Sequence, residues 1–189
     1  LRNKDLTGVN FSGVDLSNVD LTGSILTLTS LSGAVLDGID LTNKDLTGVT
    51  FSGADLRNLN FTGANLTGVD FSNQNLTQTI LTFANLSEAK LNNVDLSNKD
   101  LTGTILTQSN LTGANLKGVD LRNKDLTGTI FNYVDLSNTD FTGSLLTYSH
   151  FAWANLDGVD LRNKDLTGVN LTGVDLNNKD LTGTIIKDT

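Results

Sequence analysis

Seven aspartates fall at multiples of twenty: Asp20, Asp40, Asp100, Asp120, Asp140, Asp160 and Asp180. In a chain that closes one turn every twenty residues they stand in one column, the last five in successive turns, with carboxylates ~5 Å apart. Such a row could recruit Ca²⁺ or display a phosphate-like line of charge. Aspartates beside turns more often accept local backbone and side-chain hydrogen bonds under solvent screening. No Asp-rich calcium loop occurs, so no metal site is expected.

A second array is the hydroxyl column Thr7, Thr27, Thr47, Thr67, Ser87, Thr107, Thr127, Thr147 and Thr167. Flat threonine arrays suit ice or glycan surfaces. Turn chemistry is the plainer reading, because a second parallel Thr column is lacking. The remaining inventory argues against catalysis. There is no Cys, the sole histidine is His150 beside Phe151, and no G-x-S-x-G or G-x-x-x-x-G-K-[ST] segment is present. A convex rod is expected to offer no cleft that would desolvate a carboxylate. No catalytic residue and no cofactor are expected.

Aromatic residues off the regular apolar positions are Phe83, Tyr133, Tyr148 and Trp153. Twenty-residue spacing pairs Tyr133 with Trp153 and Ile130 with His150, and puts Tyr148 with Leu145 on the adjacent side. Ile130, Tyr133, Leu145, Tyr148, His150 and Trp153 therefore form a candidate protein-contact patch.

What positions these groups is a ladder. Every fifth residue from Leu1 to Ile186 is Leu, Phe or Ile, without a break. In an α-helix, steps of five rotate ~140° each and spread the apolar residues around every side. In a continuous strand they alternate faces. The chain must therefore turn a corner every five residues. With the ladder residue called i, position i−2 is mostly small or β-branched (Val9, Ala34, Ala54, Val69, Ala84) and reads as a second inward position. Position i+2 holds all 18 Gly and 11 Asn, the types that tolerate left-handed turn backbone. Position i+1 is mostly Ser or Thr. A 40-residue recurrence (LRNKDLTGVN at Leu1, LTNKDLTGVT at Leu41, LRNKDLTGTI at Leu121, LRNKDLTGVN at Leu161) suits four sides per coil and two coils per block.

Units such as Ala54-Asp55-Leu56, Ala64-Asn65-Leu66, Ala84-Asn85-Leu86 and Ala114-Asn115-Leu116 resemble the pentapeptide-repeat family along the whole chain. The resemblance implies an all-β, right-handed, four-sided parallel β-helix with i and i−2 inward. About nine and a half coils at ~4.8 Å make a rod ~45 Å long. Residues 1–189 are expected to be one solenoid domain, part of a longer chain or assembly. One motif fits poorly. NKDLTG puts Lys4, Lys44, Lys99, Lys124, Lys164 and Lys179 at the inward i−2 position. Their stems are expected to lie at a corner and run out to the adjacent Asp or to water; the alternative is a local bulge or a buried Lys paired with carbonyls or Asn.

The net charge of −8, from 20 Asp and one Glu against nine Lys and four Arg, disfavours nucleic acid as a direct partner. No apolar run is long enough to cross a membrane as a helix. The favoured function is a non-enzymatic structural or scaffolding module of a surface or extracellular assembly, self-associating end to end or laterally. The resemblance also supplies an alternative, an acidic DNA mimic that binds a type II topoisomerase. The projecting loops and helical dimer segment of such relatives are missing here. An ice- or glycan-binding solenoid is a further alternative.

Overall fold

A computed structural model describes residues 1–188. Isolated parallel bridges join outward residues to those twenty positions later, as in Asp5 with Ile25 and in the series Asp70, Lys90, Asn110, Ile130, His150, Asn170. Twenty residues therefore close one coil of four sides, each side a three-residue extended piece. The sides are named here by their first outward residue: Asp5, Asn10, Asp15 and Asp20. Between coils the backbone pairs as in a parallel sheet, with Leu6 N donating to Ile25 O at 3.0 Å and Ile25 N to Lys4 O at 3.0 Å.

The ladder forms the axis. Leu31, Leu41, Leu46, Leu66, Leu86, Leu91, Leu106, Leu111 and Leu126 are fully buried, each contributing about 1.5–3 kcal/mol of gross burial. Two aromatic cassettes fill it. Phe51 stacks on Phe71 at 6.0 Å with Phe61 edge-on to both, and Phe131 stacks on Phe151 at 5.3 Å with Phe141 edge-on. Position i−2 is inward as expected: Ala34, Val49, Ala64, Val69, Ala84, Ala89 and Val169 are buried. In the first and last coils the ladder is more open, Leu1 at 44% and Ile186 at 48% exposure.

Every i+2 residue from Asn3 to Asp188 has φ between +53° and +75°. The ladder carbonyl accepts the N–H of i+3 across most corners, as Val9 N to Leu6 O at 2.9 Å, and only i+2 has positive φ, the arrangement of a type II turn. The corners also explain part of the 40-residue recurrence. At several corners a large side chain leans along the rod onto a Gly of the next coil: Asn43 over Gly63, Phe83 over Gly103, Tyr148 over Gly168, Trp153 over Gly173. A Cβ on Gly168 would lie 2.3 Å from Tyr148 Cδ1, whereas one on Gly68 would meet nothing within 4 Å.

Both positions carry the left-handed penalty of about 1–2 kcal/mol for a non-Gly residue, so Gly168→Ala should destabilise clearly more than Gly68→Ala in denaturant melts. Adding Tyr148→Gly should bring the Gly168→Ala cost down to the Gly68→Ala level; an unchanged cost would show that the ring contact is immaterial.

Candidate functional site: the Asp20 side and the aromatic patch

Each Asp of the candidate acidic column turns one oxygen back into its own corner. Asp100 Oδ1 accepts Thr102 N at 2.8 Å, Asp140 Oδ1 accepts Thr142 N at 2.8 Å and Asp180 Oδ1 accepts Thr182 N at 2.9 Å. Asp120 and Asp160 accept the backbone N–H of Arg122 and Arg162 and also pair with those guanidinium groups at 2.7 Å. Donation from the Thr or Arg side chain, then from its backbone N–H, holds all five carboxyls below the ordinary 3.8, and Asp120 and Asp160 down to about 2. The column is thus a row of ionised Asx turns, interrupted by Arg122 and Arg162. No group of three or more His, Cys, Asp or Glu among the described residues is placed to hold a metal ion.

The backbone behind this column is open. Along the Asp20 side the only bridge between described residues joins Asn60 and Ile80. There Phe61 N donates to Ile80 O at 2.9 Å and Ile80 N to Leu59 O at 2.9 Å, while Leu101, Leu121, Phe141 and Leu161 make no corresponding inter-coil donation. The gaps form clefts, contrary to the expectation that the rod has none. One of about 880 Å³ is lined by Asp140, Asp160, Arg162 and Lys164, and one of about 510 Å³ by Asp100, Ile105, Asp120 and Lys124.

Lysines wedge these gaps. Lys124 Nζ donates to Leu101 O at 2.7 Å and to Thr104 Oγ1 at 3.3 Å, and Lys44 Nζ donates to Leu21 O at 2.6 Å. Lys164 reaches Phe141 O and Ser144 O, Lys179 reaches Leu156 O, and Lys99 Nζ donates to Thr79 O at 2.9 Å. The expectation that these stems run out to Asp or water is corrected for all but Lys4, which is exposed in the first coil. Carbonyls of the preceding coil relieve the half-buried ammonium. Partial desolvation pushes the Lys99, Lys124 and Lys164 pKa values down. The column beneath reads Lys4, Ser24, Lys44, Ala64, Ala84, Thr104, Lys124, Ser144, Lys164, Thr184. Each internal Lys rests on a small hydroxyl residue, and the one bridged place is where Ala follows Ala.

The hydroxyl column is engaged with the turns. Thr47 Oγ1 donates to Asp45 Oδ1 and Thr167 Oγ1 to Asp165 Oδ1, both at 2.6 Å, and Ser87 and Thr107 hydroxyls meet at 2.9 Å. A second threonine column does exist at the preceding corner (Thr22, Thr42, Thr62, Thr82, Thr102, Thr142, Thr182), broken by Arg122 and Arg162, which corrects the sequence reading. Neither column offers a row of free hydroxyls.

Tyr133, Tyr148 and Trp153 are exposed at 65%, 58% and 58%, and Leu145 at 57%. Ile130 and His150 are half-buried and bridged to each other on the Asn10 side, between the corner of Tyr148 and the corner of Tyr133 and Trp153. The six are thus grouped across one side and its two corners, with Leu145 on the neighbouring Asp5 side. Sequence reasoning missed a second exposed group, Ile80, Phe83 and Ile105. Its signal was the break in the Asp column at Asn60 and Ile80.

Two outcomes follow. Carboxyls whose folded pKa lies below 3.8 stabilise the fold above that pH and lose the contribution as pH falls toward about 2; melting midpoints should drop over that window, and less steeply with Asp55, Asp120 and Asp160 all changed to Asn. Hydrogen exchange should be faster at the Leu101 amide than at the Phe61 amide. The double change Lys124→Ala with Thr104→Ala should slow it by letting the coils close, and unaltered exchange would remove the wedge explanation.

A family model described as pentapeptide repeats matches in eight copies, with segments running from residues 5–43 to 149–188. A search of curated proteins finds no match. Among solved structures, HetL, a pentapeptide repeat protein involved in heterocyst differentiation regulation in the cyanobacterium Nostoc sp. strain PCC 7120, is 29% identical. It aligns over 100% of this chain and 83% of its own, with TM-score 0.45. Full-length QnrB1, a plasmid-mediated fluoroquinolone resistance protein, is 16% identical over 95% of this chain and 92% of its own, with TM-score 0.38. The Nostoc pentapeptide repeat protein alr5209 is 34% identical over 56% of this chain and 83% of its own, with TM-score 0.28.

Proposed function

Since the chain belongs to the pentapeptide-repeat family, whose members adopt a right-handed quadrilateral β-helix, we propose that it is a non-enzymatic scaffolding rod that associates with further copies of itself in a surface or extracellular assembly. At ~4.8 Å per coil, about nine and a half twenty-residue coils in two-coil blocks make a rod roughly 45 Å long.

The observation that carries this reading is the aromatic group Tyr133, Tyr148 and Trp153, standing more than half exposed together with Leu145 on the lateral surface. The corners that place them tolerate Asn at eleven other positions, so large rings here are not demanded by the turn. Exposed Tyr and Trp are the residue types that dominate protein contacts. A self-complementary patch on one side of a rod leads to a two-fold lateral pair.

The test uses Asn replacements, because Asn already serves the same left-handed corner. Sedimentation velocity over a concentration series should show the wild-type rod self-associating and Tyr133→Asn, Tyr148→Asn, Trp153→Asn weakening it by roughly tenfold or more together. Electron microscopy should show paired or stacked rods. A wild-type chain that stays monomeric at high concentration would sink the proposal.

A further inference from the structure

On a rod of net charge −8, one lateral face carries no Asp, Glu, Lys or Arg over four successive coils. It is the Asn10 side with its two corners, residues 106–113, 126–133, 146–153 and 166–173. Every other side bears carboxylates over the same length: Asp125 and Asp165 on the Asp5 side, Asp135 and Asp175 on the Asp15 side, Asp120, Asp140 and Asp160 on the Asp20 side. The neutral face is bridged without a gap. Asn110, Ile130, His150 and Asn170 follow one another, with His150 N donating to Thr129 O at 2.9 Å and Asn170 N to Ser149 O at 3.0 Å. The same side is uncharged again from Asn10 to Thr50, but there its hydroxyls bond to one another, Ser12 with Ser30 at 2.9 Å and Thr50 with Ser30 at 3.1 Å. Tyr133, Tyr148 and Trp153 all stand on the later stretch. Two copies of an acidic rod repel wherever carboxylate opposes carboxylate, and this face lets them meet without doing so.

One group can end that neutrality. Histidine is the side-chain type that gains a charge between about pH 8 and pH 5, and His150 sits half-buried in the middle of the face. Round it lie Ile130 and Tyr133 in the coil before, Tyr148 and Trp153 in its own coil, and Asn170 in the coil after. Only the two phenols among them titrate, and a phenol is uncharged across that range. The carboxylates beyond the corners are turned into their own turns. Asp125 accepts Thr127 N at 3.0 Å, Asp165 accepts Thr167 N at 2.9 Å, Asp135 accepts Ser137 N at 3.1 Å and Asp175 accepts Asn177 N at 2.8 Å. An imidazolium at position 150 thus has no carboxylate on its own face to pair with.

Resting on the self-association proposed above, we infer that this neutral face is where a second copy docks and that His150 makes the docking pH-dependent. With the imidazole neutral, two such faces close over their aromatic residues. With it protonated, each copy sets an unpaired cation into the contact, and the pair loosens. An assembly built on this face is firm at neutral pH and opens in mildly acidic surroundings.

The experiment is sedimentation velocity of the whole chain at about pH 7.5 and about pH 5.5, at one ionic strength. The wild-type pair should be roughly tenfold weaker at the lower pH. His150→Asn, which stays neutral at both and repeats the residue at Asn170, should remove the difference. Asn110→Asp with Asn170→Asp keeps the oxygen that accepts Thr112 N and Thr172 N while placing a carboxylate at each end of the face; it should weaken pairing roughly tenfold or more at the higher pH. Asn75→Asp, the same change on the Asp15 side, also keeps its turn bond to Thr77 N and should leave pairing unaltered. Indifference to the Asn110 and Asn170 changes, an equal response to Asn75→Asp, or equal pairing at both pH values would overturn the inference and leave self-association standing. A chain that is monomeric at both pH values would remove the two together.

Discussion

A backbone that enters the left-handed region once every five residues is the constraint from which the rest of the rod follows. Each such residue reverses the outward drift of a three-residue extended piece, so that the ladder positions on four consecutive sides converge on one axis. Leu, Phe and Ile fill that axis because nothing polar could be satisfied there. The outward residue of every side is then left beside a turn, where Asp or Asn finds an N–H two residues on, as Asp45 does with Thr47 at 3.1 Å. Core, corner and surface chemistry are therefore three aspects of one five-residue geometry.

Stacking adds a second layer of selection, between coils. Asn43, Phe83, Tyr148 and Trp153 each lean over a glycine of the next coil, and Lys44, Lys124 and Lys164 rest on Ser24, Thr104 and Ser144 with carbonyls of the preceding coil as acceptors. In these coils an Asn-Lys pair alternates with a coil that bears Gly at the corner and Ser or Thr at the inward position, which is one physical reason for the 40-residue recurrence. Where Ala64 and Ala84 replace the lysine and its companion, the coils draw together and the bridge between Asn60 and Ile80 appears.

The five-residue geometry was readable in the sequence because it depends on residue type at a fixed position: an apolar ladder, Gly or Asn at the corner, a small inward residue. The candidate contact residues were also readable as a group, since twenty-residue columns place Tyr133 with Trp153 and Ile130 with His150. What could not be read was how side chains on successive coils share space. Lys124 has the length to reach either water or Leu101 O, and only the distance between coils decides between them. The clefts on the Asp20 side escaped for the same reason. They are made by backbone groups that fail to pair, and no residue type announces a missing hydrogen bond.

That missing row of bonds also gives the rod a direction. On the Asn10 side an unbroken series of bridges runs from Asp70 to Asn170, while on the Asp20 side no bridge follows Ile80 over the same length and lysines prop three of the gaps. A beam bonded along one side and propped along another has unequal stiffness about its two transverse axes. Under bending load it flexes most readily by widening or narrowing the propped gaps, with the Asn10 side as the spine of the book. Curvature of the rod and access to its acidic clefts are thus one mechanical variable.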